Sequence, residues 1–196
     1  LGTVADVVPL DVNNRILVAQ GLRRIRAGRC APGLRALLEV AGRKLDGVIA
    51  QDLGFQAGPR LNAAGRLEDM ALGIECLLTA SPVEAGELAA RLSQLKGDRR
   101  QLETRMQQEA LTKIDTLAAS FEGRMPAGLC LFDDGWHQGV IGLVASRIKD
   151  RVHRPVIAFA PGEPGWVKGS ARSVAGIHVR DALDAIATRN PGLLEK

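Results

Sequence analysis

Apolar residues fall either at helical spacing or in short continuous runs along this chain, and the change of pattern divides it. Val4 to Leu10 is a β-branched apolar run, closed by Pro9 and broken only by Asp6, which predicts a short buried strand. From Asn14 to Ala27 the spacing is helical, with Ile16, Leu17, Leu22 and Ile25 on one side and Gly28 as a stop. Pro32 starts a second helix that carries Leu34, Leu37 and Leu38 to near Gly42. Val48 to Phe55 reads as a short helical segment. It leads into Gly58-Pro59-Arg60-Leu61-Asn62-Ala63-Ala64-Gly65-Arg66, whose Gly-Pro start and small residues predict a loop. Gly73 to Thr79 adds a further helical turn or two.

Ser81 opens the longest element. Ser81 as N-cap, Pro82 at the first helical position and Glu84 two further on form a capping-box signature. Leu88, Leu92, Leu95, Leu102, Met106, Ile114 and Leu117 then recur at helical spacing to about Ala119. A helix of that reach is roughly 55–60 Å long, longer than a small domain is wide, and is expected to join two lobes. Its charges at Lys96, Asp98, Arg99, Arg100, Glu103 and Arg105 fit a solvated face, or alternatively a basic rail along a nucleic-acid path.

After Gly123 the pattern alternates. Leu129 to Phe132 is predicted as a strand, Gly139 to Lys149 as a helix and Val156 to Ala160 as a second strand, a βαβ unit with parallel strands. Trp166 to Ala171 follows as a third strand and Val179 to Ala187 as a closing helix. The fold class is α/β.

Composition narrows the function classes. With 196 residues the chain has room for one large or two small domains. No apolar run approaches the roughly 18–20 residues that span a bilayer. No basic leader precedes the apolar start, and there is no initiating Met, so the chain is expected to begin inside a domain. Cys30, Cys76 and Cys130 form no C-x-x-C pair, which fits a reducing compartment and not a zinc ribbon. The net charge of +4 is compatible with nucleic acid. Aromatic residues are only 3 % and Tyr is absent, so no platform for stacking successive bases is expected. Binding, if to nucleic acid, would be to the backbone, and therefore tolerant of sequence and sensitive to salt.

Several residues stand out chemically. Asp6, placed in an apolar strand, needs a cation or several donors to offset its burial. A metal ion is one solution, and a strand-end cap or ion pair is the other. Arg60, Asn62 and Arg66 lie among residues small enough for close backbone approach, which suits a ligand-facing loop or a tight loop packed under the long helix. His137 falls between Trp136 and Gln138, just ahead of a helix start that favours anions, and is a candidate for phosphate contact or acid–base work or a structural histidine. In Gly169-Ser170-Ala171-Arg172-Ser173, Ser170 and Arg172 share a strand face at period 2 and offer a hydroxyl and a planar guanidinium to an anion. An edge strand with polar outward residues is the alternative. His178 either joins that site or caps the last helix.

Taken in order, Gly2–Leu10, Gly58–Arg66, Trp136–Gly142 and Gly169–Ser173 resemble the motifs of the RecJ family. These are bacterial single-strand-specific 5′→3′ exonucleases of the DHH phosphoesterase superfamily. The similarity covers essentially the whole chain, and the order of four motifs makes it specific. It implies the C-terminal part of a DHH catalytic domain at 1–80, a connecting helix at 81–120 and a truncated DHHA1 substrate-binding domain at 121–196. It implies two Mn2+ or Mg2+ ions, held by Asp and His residues, that activate water against a phosphodiester. Asp6 would be a metal ligand, and Arg60, Asn62 and Arg66 would face substrate. His137 would serve catalysis, with Ser170, Arg172 and Ser173 holding a 5′-phosphate or the adjacent backbone. The implied substrate is single-stranded DNA, with a single-strand-binding protein as expected partner, and the implied setting is a cytoplasmic monomer away from membranes, in repair and recombination.

The Asp-His-His triplet and earlier Asp ligands of that family are expected upstream of Leu1, and a Gly-Gly-His segment is expected beyond Gly192. Ala171 replaces a glycine common at its place. The chain is therefore expected to be an internal piece of a longer exonuclease, with negligible nuclease activity alone. Two rivals stand beside this reading: a DHH phosphodiesterase of short oligonucleotides or cyclic dinucleotides, and a non-catalytic nucleic-acid-binding adaptor of the same fold.

Overall fold

A computed structural model describes residues 1–120 and 125–195, with the backbone alone at 117–120. Gly123, where the pattern was expected to change, and the side chain of Leu117 lie outside the described residues. The chain forms two compact units, Leu1–Arg100 and Gln101–Lys196.

The first unit is helical. Helices α1 (Gly2–Ala5), α2 (Val12–Arg26) and α3 (Pro32–Glu39) are followed by a 3-10 turn at Leu45–Gly47. Then come α4 (Ala50–Asp52), a π-helical turn at Leu53–Ala57, α5 (Gly58–Leu67), α6 (Ala71–Leu78) and the start of α7 (Pro82–Ser120). The strand expected at Val4–Leu10 is not formed. No strand lies in the described residues of this unit to pair with it. The amides bond locally instead: Val4 and Ala5 N–H donate to Leu1 O at 3.0 Å, and Asp6 N–H donates to Gly2 O at 2.9 Å. α2 and α3 lie close to their expected places. Asp11 caps α2 by accepting from Asn14 N–H at 2.7 Å, and Gly28 ends it with a φ of +73°.

The segment Gly58–Arg66, expected as a loop, is helix α5. Pro59 lacks an N–H and enters the run just after the widened π turn, where a regular turn would crowd its ring. Packing overrides the Gly-Pro break. Ala63 and Ala64 are fully buried and join Ala85, Ala89 and Leu92 of α7 in one apolar cluster. The small side chains let helices approach closely. Where α3 meets α6 the approach is tighter still, since a Cβ on Gly33 would lie 1.6 Å from Cys76 O.

α7 begins as expected. Ser81 Oγ accepts from Glu84 N–H at 3.3 Å, but the Glu84 carboxylate bonds to the Thr79 hydroxyl, and Thr79 Oγ1 also accepts from Ser81 N–H at 3.1 Å. The cap is thus a Thr79–Ser81–Glu84 arrangement and not a reciprocal box. The helix has 39 residues, about 58 Å at the usual rise, and the division between units falls within it.

The second unit is an α/β layer. Strand β1 (Leu129–Phe132), helix α8 (Ile141–Val152) and strand β2 (Val156–Pro161) form the expected βαβ unit, with β1 and β2 parallel. Strand β3 (Val167–Arg172) runs antiparallel to β2, and α9 (Val179–Arg189) closes the described structure. α8 packs on β2 and β3. Val156, Ala158 and Ala160 are fully buried, with Val144, Ala145 and Ile148 of α8 also in the core.

Candidate phosphate-binding site

In the second unit the topology brings two of the polar motifs together. β3 pairs with β2 so that Ser170 lies opposite Ala158 and Arg172 opposite Val156. Alternation along a strand therefore puts Ser170 and Arg172 on the same sheet face as the buried Val156 and Ala158. The start of α8 meets them there. A Cβ on Gly142 would lie 2.8 Å from Arg172 Nη2 and 2.9 Å from Ser170 Oγ. Only a glycine leaves those two groups against the first turn of the helix. In the sequence Gly142 is marked only as a glycine at a helix start, which is too weak a signal to give it this role.

Arg172 donates from Nη1 to Ser170 Oγ at 3.2 Å and to Ala171 O at 2.8 Å. Both acceptors are neutral, and no carboxylate pairs with this guanidinium among the described residues. Its charge stands at the start of α8, where the helix dipole also favours an anion, although the Ile141 and Leu143 N–H groups already donate to His137 O and Val140 O. Hydroxyl, guanidinium and helix start together form an arrangement that could accept an anion.

The turn leading into α8 is held from behind by α7. Trp136 is 3 % exposed and donates from its indole N–H to Glu109 Oε2 at 3.1 Å. Lys113 donates to Phe132 O at 2.8 Å, pairs with Asp133 Oδ2 at 2.8 Å and places its ammonium 5.8 Å from the Trp136 ring centre. The Lys113 hydrogen bond, and then the Gly135 N–H bond, hold the Asp133 carboxyl below the usual carboxylate range. His137 is half-buried, and its Nδ1 accepts from Gly139 N–H at 3.1 Å. That bond needs a bare Nδ1, so the neutral ring carries its proton on Nε2. No hydrogen bond joins His137 to Ser170 or Arg172 among the described residues.

The remaining candidates lie elsewhere. The Ser173 hydroxyl bonds to Ile177 O and so closes its own turn, away from the pair. His178 is the N-cap of α9, taking Asp181 N–H at 3.4 Å and facing Asp181 Oδ1 at 2.8 Å.

In the first unit, Arg60, Asn62 and Arg66 do not converge. Asn62 and Arg66 are exposed and one turn apart on α5. Arg60 turns inward and is 6 % exposed, donating from Nη1 to Gln56 O at 2.7 Å and from Nε to Ser93 Oγ of α7 at 3.3 Å. Burial pushes its guanidinium below the usual arginine range.

Asp6 was expected inside a strand. It is instead the exposed C-cap of α1, so its carboxylate is solvated and burial makes no demand for a cation. Among the described residues no three His, Cys, Asp or Glu side chains gather to hold a metal ion. These residues do not by themselves fit a two-metal centre. No helix among them is long and apolar enough to cross a membrane.

Residues 124–194 match the DHHA1 domain model. Over all 196 residues the chain is 58 % identical to the single-stranded-DNA-specific exonuclease RecJ of Dickeya dadantii and 56 % identical to that of Escherichia coli, covering 34 % of each. It thus spans about a third of the curated relatives it matches. Among solved structures, RecJ from Thermus thermophilus in complex with Mg2+ superimposes with a TM-score of 0.75 at 36 % identity, over 95 % of this chain and 28 % of that one. A RecJ exonuclease bound to manganese matches with a TM-score of 0.77 at 37 % identity, over 93 % of this chain and 43 % of that one.

Proposed function

We propose that this chain, which belongs to the RecJ family, is the part of a single-strand-specific 5′→3′ DNA exonuclease that grips substrate phosphate. The observation that carries the reading is the meeting of Ser170, Arg172 and the start of α8 at Gly142, with the guanidinium charge answered by no carboxylate among the described residues. Such a site takes a dianionic terminal phosphate better than an internal diester, because charge-assisted bonds strengthen with the charge on the acceptor. Holding the strand by its 5′ end gives the polarity of digestion.

The metal ions, Mn2+ or Mg2+ as in the solved relatives, would supply the activated water. Asp6 would be this chain's single contribution to their binding, with the other ligands supplied from outside these residues. Its exposure on the α1 C-cap fits a carboxylate that waits for partners. His137, with Nδ1 fixed by Gly139, would present Nε2–H as a donor near the helix start, a phosphate-holding role more than a proton-abstracting one. Asn62 and Arg66 would face the strand from α5. The monomeric state, the cytoplasmic setting and a single-strand-binding protein as partner belong to the same proposal.

The test is binding of a labelled single strand carrying either a 5′-phosphate or a 5′-hydroxyl, followed by fluorescence anisotropy. The chain is expected to prefer the phosphorylated strand, and Arg172→Ala to lower that affinity about tenfold or more and erase the preference. Equal binding of both strands by the unaltered chain would sink the end-recognition reading. No degradation is expected with Mn2+ added to the chain alone.

A further inference from the structure

Where α7 faces α5, the cations Arg60, Lys96 and Arg99 gather, and none of the three pairs with a carboxylate among the described residues. Arg60 lies behind this group, buried, with its Nε on Ser93 Oγ and its Nη1 on Gln56 O. Three residues beyond Ser93, on the same side of the helix, comes Lys96, and Arg99 lies one turn further. Burial, and then repulsion from Arg60, Arg100 and Arg99, draw the Lys96 ammonium below the usual lysine range. Arg99 Nε is buried and has no hydrogen-bond acceptor.

These features all work against the fold. Like charges held together repel, and a buried donor without an acceptor is destabilising. A single anion held between Lys96 and Arg99 would offset both.

We infer that Lys96 and Arg99, backed by Arg60, form a subsite for an internal phosphate of a single-stranded polynucleotide, built entirely within the first unit. The inference rests on the nucleic-acid reading above but not on recognition of a 5′ end. Guanidinium forks suit phosphate oxygens two at a time, and a helix offers no sheet edge to pair a peptide main chain, so a polynucleotide is favoured over an acidic protein segment.

The experiment uses the 196-residue chain and the same two labelled strands, titrated from low salt to about 200 mM. Lys96→Gln and Arg99→Gln are each expected to lower affinity about three- to tenfold for both strands alike. Each is expected to reduce the slope of log K against log salt by about 0.7. Unchanged affinity and slope in the folded double variant would overturn the inference. So would a loss confined to the 5′-phosphorylated strand, or binding shifted to an acidic peptide control. Arg172→Ala separates the two readings: it should remove the end preference and leave the Lys96 and Arg99 effects intact. Failure of the unaltered chain to bind either strand at low salt would defeat both.

Discussion

Gly142→Ala is the smallest change that distinguishes a built phosphate site from ordinary packing. The added Cβ would lie 2.8 Å from Arg172 Nη2 and 2.9 Å from Ser170 Oγ, whereas comfortable contacts of this kind begin near about 3.5 Å. Something must move by about half an ångström or more. Both groups are ends of side chains, so they can swing aside without disturbing the backbone. The cost therefore falls on the anion site and not on the fold. Alanine is also the better helix former by as much as ~1 kcal/mol, less at the first turn than in the interior. Stability is expected to be unchanged or slightly raised. Affinity for a 5′-phosphorylated strand should fall by the loss of one well-placed charge-assisted contact, about 1–2 kcal/mol or five- to thirtyfold. Thermal melting and anisotropy on the same sample read both quantities. A variant that melts well below the original yet binds as tightly would show that Gly142 serves packing between α8 and β3, and that the proximity of Arg172 is incidental.

Other expectations address how the site is supported. Asp133 has its carboxyl lowered in the folded chain by Lys113 and Gly135. It therefore contributes stability above the unfolded pKa, about 4, that is lost as pH falls through the lower folded value. The pair is partly exposed, so the contribution is about 0.5–1 kcal/mol and shrinks with salt. Asp133→Asn should lower the melting temperature at neutral pH and flatten its decline below about pH 4. Gly33→Ala places a Cβ 1.6 Å from Cys76 O, a backbone atom that cannot swing away. α3 and α6 must separate, with a loss of about 3 kcal/mol or more, read by chemical denaturation; a change under about 1 kcal/mol would show the helices to be loosely held.

The second unit was legible because its signals are local and agree with one another. Short continuous apolar runs at Leu129–Phe132 and Val156–Ala160 flank a helical period, and the βαβ handedness rule leaves little freedom. Once β3 folds back on β2, the register alone places Ser170 and Arg172 under α8. What could not be read was the constriction at Gly142, because it depends on how closely a helix and a strand distant in sequence approach. The same limit explains the first unit. Gly58-Pro59 is a sound local break signal, yet the alanines beyond it bury against α7 and the helix closes over the break by widening one turn.

Asp6 and Arg60 show the opposite error in charge. The Val4–Leu10 run suggests a buried carboxylate, but without a neighbouring strand the backbone satisfies itself in a turn and Asp6 faces water. Arg60 sits among small residues that suggest a loop, either facing ligand or packed under the long helix. It is the most deeply buried cation of its segment, in a helix packed on α7 beside Lys96 and Arg99. Periodicity assigns a residue to an element, but whether its charge is paired depends on the elements that pack across from it. That is why the charged stretch of α7 reads in sequence as a solvated face or a basic rail, whereas in three dimensions Arg105 and Glu103 are ion-paired and Lys96 and Arg99 have no carboxylate partner among the described residues. A solvated face scatters its charges so that each is paired or hydrated, whereas burial and neighbouring cations hold the Lys96 ammonium below its usual range, a cost that a bound anion would offset.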